Sequence, residues 1–183
     1  MLASLVMTVI GPDRPGLVQA VAACVADHGG NWLESRMCHL GGQFAGVLRV
    51  EVDAGQRDGL VRTLQGLEAS GLRVIVHAGD GRSEMGNAGS GQGTVARLEL
   101  VCQDRPGILR SISAVLAAHG VNVEELASER ESAPMGGGTL FKARATVLVP
   151  AGVNQGKIRA ELEKIASDLM MDLTLGPAQG PGK

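Results

Sequence analysis

The feature that most constrains this chain is a repeat. Gly11-Pro12-Asp13-Arg14-Pro15-Gly16 separates an apolar run from an amphipathic one, and Asp104-Arg105-Pro106-Gly107 does the same 91 residues later (104 − 13). The match continues downstream at that offset, with His28-Gly29 answered by His119-Gly120 and Asn31 by Asn122. A period this long marks a duplicated domain, since solenoid repeats run ~20–50 residues. The 183 residues therefore divide into two similar halves. Each is small enough to bury only about 60–65% of its unfolded-chain surface. Packing the copies together, or forming a homodimer, would supply the missing burial.

The pattern inside one copy fixes the fold class. Residues 4–10 are rich in Val, Ile, Met and Thr and stop at Gly11-Pro12, which reads as a strand. Leu17, Val18, Val21, Ala22 and Val25 then follow the spacing of one buried helical face, and His28-Gly29 reads as its end. Two strands follow, residues 31–40 and 43–52, joined by a Gly41-Gly42 hairpin turn. Leu48, Val50 and Val52 alternate with Arg49 and Glu51, as expected of a sheet covered on one face. A second helix over residues 56–69, carrying Leu60, Val61, Leu64 and Leu67 on one side, leads to a strand at 72–77. The second copy repeats the order: strands at 94–102, 121–130, 140–149 and 172–175, and helices at 106–119 and 155–169. The expected class is α+β, two ferredoxin-like βαββαβ domains, each a four-stranded antiparallel sheet with two helices on one face. The expected organisation is domain 1 at 1–78, a Gly/Ser-rich linker at 79–93, domain 2 at 94–176 and a flexible tail at 177–183. The linker segment holds six glycines in fifteen residues.

Composition narrows the function classes. A formal net charge of −2 offers no basic footprint for nucleic acid. RNA-recognition sheets also stack bases on aromatics, whereas this chain has two Phe, one Trp and no Tyr. Cys24, Cys38 and Cys102 are odd in number and widely spaced, and read as reduced thiols of a cytoplasmic protein. Cys38 and His39 are neighbours in a strand and point to opposite faces, which argues against a catalytic pair. No two of the four histidines are spaced as metal ligands, so neither a metal nor a cofactor is expected. The N-terminal apolar run lacks a basic start and a small-residue cleavage site, and no stretch approaches ~20 apolar residues, so no membrane association is expected.

The recurring loop has its own chemistry. Pro15 suits a first helical position and pushes Arg14 out of the helical region. Gly16 leaves the amides of Gly16 and Leu17 open at the positive end of a helix, where a carboxylate can bind. Asp13 beside them can accept an ammonium, so loop and acid together suit a free α-amino acid. The same residues also make sense without a ligand, with Asp13 capping, Pro15 starting and Gly16 packing. Asn31 and Asn122, which open a strand after a turn, either contact a ligand or close that turn.

Asp13-Arg14-Pro15-Gly16-Leu17, followed by His28-Gly29 and Asn31 within one βαββαβ unit, resembles the ACT domain, a small-molecule-sensing module of amino-acid metabolism. The resemblance covers both halves, and a tandem pair in a chain of this length is similar to the glycine cleavage system transcriptional repressor group. It implies a non-catalytic regulator of transcription or metabolism that senses an amino acid such as glycine and acts on a transcription factor or enzyme partner. It also implies ligand contacts from the loop of one unit and the strand start of its neighbour. Carried over, these are Asp13, Arg14, Pro15, Gly16 and Leu17 with Asn31, and Asp104, Arg105, Pro106, Gly107 and Ile108 with Asn122. Gly30 and Trp32 in one copy face Val121 and Val123 in the other, so the two sites need not be equivalent. The alternative is a small ferredoxin-like hydrolase of acylphosphatase type, with Arg14 and Asn31 cradling an acyl phosphate. Pro15 removes an amide that such a cradle would use.

Overall fold

The computed structural model describes residues 1–78, 93–133 and 137–177, which form two compact units with the same order of elements. In the first, β1 (Leu2–Pro12), α1 (Leu17–Asp27), β2 (Asn31–Leu40), β3 (Gln43–Asp53), α2 (Arg57–Gly66), a 3-10 turn (Leu67–Ser70) and β4 (Arg73–Ala78) follow one another. In the second they are β5 (Gly93–Gln103), α3 (Ile108–Ala118), β6 (Asn122–Ser132), β7 (Thr139–Pro150), α4 (Gln155–Asp168) and β8 (Asp172–Pro177). Each unit has one four-stranded antiparallel sheet, ordered β2-β3-β1-β4 and β6-β7-β5-β8. The expected linker and tail lie outside the described residues, except for Gly93 and Pro177, which are the outermost positions of β5 and β8.

Alternation along the strands decides which face is covered. Leu5, Met7 and Val9 of β1 and Leu48, Val50 and Val52 of β3 point to one side, where Leu17, Val21, Val25, Leu60 and Leu64 of the helices close over them. Burying each such side chain contributes roughly 1.5–3 kcal/mol. The second unit does the same with Leu98, Leu100, Val147, Ile112, Ile158 and Leu162. The other sheet face is wet and carries ion pairs, Arg49–Glu34 at 3.1 Å in one unit and Arg97–Glu99 at 3.0 Å in the other. Exposed pairs of this kind contribute about 0–1 kcal/mol and mainly keep that face soluble.

Several boundaries differ from expectation for identifiable reasons. The second helix does not run continuously to residue 69. It tightens into the 3-10 turn after Gly66, and the left-handed Gly71 (φ 85°) then ends it. Val18 is 47% exposed rather than part of the buried face, because the helix presents Leu17, Val21, Cys24 and Val25 inward and Val18 falls at its margin. The duplication extends to an irregularity invisible in the pattern: a bulge between Trp32 and Glu34 recurs between Val123 and Glu125. The hairpins differ, since Leu40 and Gln43 close the first and Ser132 and Thr139 the second. Beyond that longer connection the offset between matching residues becomes 97 (140 − 43).

The histidines of the repeated His-Gly pair join the helices. His28 donates from Nδ1 to the Cys24 carbonyl at 2.8 Å, and its Nε2 lies 3.4 Å from Thr63 Oγ1 on α2. His119 reaches Glu161 on α4, with Nε2 3.1 Å from Oε1. Cys24 and Cys102 are buried, and burial raises both thiol pKa values. Asp27 adds to the rise at Cys24, and at Cys102 Asp104 raises it further while Arg105 opposes it. Cys38 is exposed. Because the thiolate is the nucleophile, native protein treated with iodoacetamide near neutral pH is expected to show one fast thiol. Cys38→Ser should abolish that phase, and Cys24 and Cys102 should react only after unfolding. Mass spectrometry of the alkylated peptides checks both points.

Candidate functional site

The two Asp-Arg-Pro-Gly segments take the same shape. Gly16 has φ 93° and ψ −1°, and Gly107 has φ 93° and ψ −2°. These are the values of the third residue of a type II turn, with proline favoured just before it. Pro-Gly is therefore a turn signature here, and Pro15 lies two residues ahead of the first helical residue, Leu17, instead of at the first helical position. Pro106 is placed likewise before Ile108. A left-handed conformation explains the glycine more strongly than packing does, because nothing lies within 4 Å of where a Cβ would sit.

The arginine of each motif is turned onto its own domain. Arg14 donates through Nη2 to the Ser70 carbonyl at the end of the 3-10 turn, and Arg105 donates in the same way to the Leu169 carbonyl, the C-cap of α4. Carbonyls at a helix end lack intrahelical donors and sit at the negative end of its dipole, so a guanidinium there satisfies both needs. The motif's arginine thus ties the first loop to the last turn of the second helix. Sequence reasoning placed Arg14 and Arg105 among ligand contacts, and no local signal marks a bond spanning 56 or 64 residues.

The acids separate the copies. The backbone N–H of each is fixed, Asp13 to the Gly42 carbonyl at 2.9 Å and Asp104 to the Thr139 carbonyl at 2.8 Å. The side chain of Asp104 pairs tightly with Arg130, Oδ2 to Nε at 2.6 Å, and is 23% exposed. At the matching position the first unit has His39, whose Nε2 is 3.7 Å from Asp13 Oδ2, and Asp13 is 43% exposed. The asparagines differ in the same sense. Asn122 donates its amide to Glu124 at 2.5 Å, while Asn31 has no side-chain partner among the described residues. Neither α1 nor α3 has its N-terminal amides capped by a side chain, so Asp13 is not a capping acid. An anion held at these amides would gain ~0.3–1 kcal/mol from the helix dipole in an exposed setting.

Within one unit the loop and the asparagine do not meet. Asn31 pairs with Glu51 and Glu51 with Ser4, at the opposite end of β1 from Asp13. At about 3.3 Å per residue that separation is roughly 25–30 Å. Arg14 and Asn31 are therefore too far apart to cradle one phosphate within a domain, and Arg14 is already committed. This removes the geometry that an acylphosphatase-type hydrolase would need. Among the described residues no three His, Cys, Asp or Glu side chains converge as metal ligands, and no helix is long and apolar enough to cross a membrane.

Known proteins match this architecture. The ACT-domain family matches residues 3–77 and again residues 96–166. The chain is 23% identical to the glycine cleavage system transcriptional repressor of Escherichia coli (strain K12) over 167 residues, 90% of this chain and 85% of that protein. Over 83 residues, 44% of this chain, it is 36% identical to a UPF0237 protein of Methanopyrus kandleri and covers 83% of it. Among solved structures it is similar to an unknown protein from Galdieria sulphuraria, with a TM-score of 0.80 and 26% identity over 98% of this chain and 100% of that one.

The turn and its anchor lead to a stability prediction. Gly107→Ala forces a left-handed conformation on a residue with a Cβ and should cost about 1–2 kcal/mol. Arg105→Met should cost about 1–2 kcal/mol through the lost charged hydrogen bond, and Arg14→Met less, because Arg14 is exposed and Arg105 half-buried. Urea unfolding midpoints of the three variants against the parent protein give the comparison.

Proposed function

The chain belongs to the ACT-domain family, with one domain in each half, and we propose that it is a non-catalytic cytoplasmic regulator that senses a small amino acid. Glycine is the first ligand to test, given the repressor to which the chain is similar along most of its length. The observation that carries this reading is the first loop: uncapped amides at the start of α1, near in the chain to Asp13, whose carboxylate has, among the described residues, only a 3.7 Å histidine partner. Amides suit an α-carboxylate and the acid suits an α-ammonium. Asn31, free of side-chain partners among the described residues, supplies both a donor and an acceptor.

Because loop and asparagine lie at opposite ends of a domain, a site that uses both takes one from each of two apposed domains. Those can be the two of one chain or those of a homodimer. The second loop is the weaker candidate, with Asp104 held by Arg130 and Asn122 by Glu124. A ligand can switch such a protein only by binding one arrangement of the domains better than another. The readout would then be an altered contact with a transcription factor or enzyme, with no direct nucleic-acid contact.

Titration calorimetry of the full-length protein against the common amino acids tests this. At least one should bind. Asp13→Asn should weaken that affinity by roughly tenfold or more, about 1.4 kcal/mol, while Asp104→Asn leaves it within about twofold and lowers the unfolding midpoint. Silence for every amino acid at millimolar concentration overturns sensing. A larger loss with Asp104→Asn than with Asp13→Asn moves the site to the second loop.

A further inference from the structure

The two domains differ where the first helix meets the edge strand. In the first, Trp32 and Met37 of β2 pack against the core, and Met37 lies over Gly46, where a Cβ would come within 2.7 Å of its side chain. The matching residues of β6 are Val123 and Ser128, and Leu48 of β3 is matched by Ala145 of β7. Of the residues around this part of the second domain, Val123 and Ala145 are smaller than Trp32 and Leu48, while Leu100, Leu116 and Leu126 are larger than the matching Val9, Val25 and Ser35. A cavity of about 240 Å³ lies between α3 and β6. Its floor consists of buried core residues, Leu98, Leu100, Ile112 and Ala143, and its mouth lies at Val123 and Leu126, 40% and 53% exposed.

The opening lies beside Val123 and Ala145, where the first domain places Trp32, packed against its core, and the buried Leu48. Interiors close voids wherever side chains allow. For scale, an apolar cavity of ~150 Å³ takes up benzene. The chemistry of the rim narrows the occupant further. Arg110, which lines the cavity and stands where the first domain has Gln19, makes no ion pair or side-chain hydrogen bond among the described residues. Ser113, the other polar residue in the lining, already donates its hydroxyl to the Arg110 carbonyl at 3.2 Å. Among the described residues no acidic side chain lines the space, so a ligand ammonium finds no counter-ion in that lining.

We infer that the groove between α3 and β6 is a second ligand site, separate from the Asp-Arg-Pro-Gly loops, that takes a small apolar monocarboxylate. The aryl or alkyl body fills the cavity and the carboxylate meets Arg110, whose planar fork accommodates it in bidentate fashion. Free amino acids are excluded by their ammonium, which distinguishes this site from the loop.

The test uses full-length protein with 3-phenylpropanoate as the probe, followed by calorimetry and ligand-observed NMR. One equivalent should bind per chain, and 3-phenylpropan-1-ol, with the same body and no charge, about tenfold more weakly. Arg110→Gln, an exposed change that installs the first domain's residue, should bring acid and alcohol to equal affinity. Val123→Trp combined with Ser128→Met, also taken from the first domain, should abolish binding of both. Failure of the parent protein to bind either probe at millimolar concentration overturns the inference. So does equal binding by the parent and the doubly substituted protein. If neither probe binds and the double substitution changes the mass measured by light scattering, the groove is a contact surface between copies instead.

Discussion

Each domain depends on a central strand that buries one face and is paired along both edges. β1 has β3 on one side and β4 on the other, and β5 is held likewise by β7 and β8. Slipping either strand by one residue would carry Leu5, Met7 and Val9, or Leu98 and Leu100, from the core to water. Register is therefore fixed where the hydrophobic cost of error is greatest, and everything else is placed relative to it. The loop after β1 emerges beside the β2–β3 hairpin, and the start of β2 lies at the other end of the sheet. That placement, rather than any single residue, keeps the loop and the asparagine roughly 25–30 Å apart within one domain.

The repeated motif turns out to be largely mechanical. Proline and glycine make a turn that only a left-handed residue completes, and arginine fastens that turn to the end of the second helix. These roles hold in both copies. The acid and the uncapped amides have no such duty, and at the acid the copies part, with histidine at 3.7 Å in one and arginine at 2.6 Å in the other. A duplicated gene product keeps what both domains need to fold and diverges at residues that folding does not constrain. The cavity beside β6 follows the same logic, since Val123 and Leu126 occupy an edge strand whose pairing does not depend on side-chain size.

The order of elements, the buried strand faces and the hairpin turn were legible in the sequence because each rests on short-range periodicity. Leu48, Val50 and Val52 declare their face by alternation, and Gly41-Gly42 declares a turn through positive φ at both positions (58° and 74°). Helix details were less legible. The break after Gly66 and the exposure of Val18 depend on where the sheet lies under the helix, which periodicity does not report. Bulges at Trp32 and Val123 leave no compositional trace at all, since one extra residue in a strand preserves hydrophobic character while changing pairing.

The sequence by itself determined the duplication, the βαββαβ order and the two turns, because an offset of 91 residues, a period of two and a proline-glycine pair are properties of the linear chain. Tertiary structure decided the rest. Arg14 and Arg105 meet carbonyls 56 and 64 residues away, Asp104 meets a cation on β6, and side chains from α3, β5, β6 and β7 come together around one space. Hydrogen bonds, ion pairs and packing act over a few ångströms in space. Which residues come within that range is set by the fold, and so the chemistry left available at each loop can be read only once the chain is closed on itself.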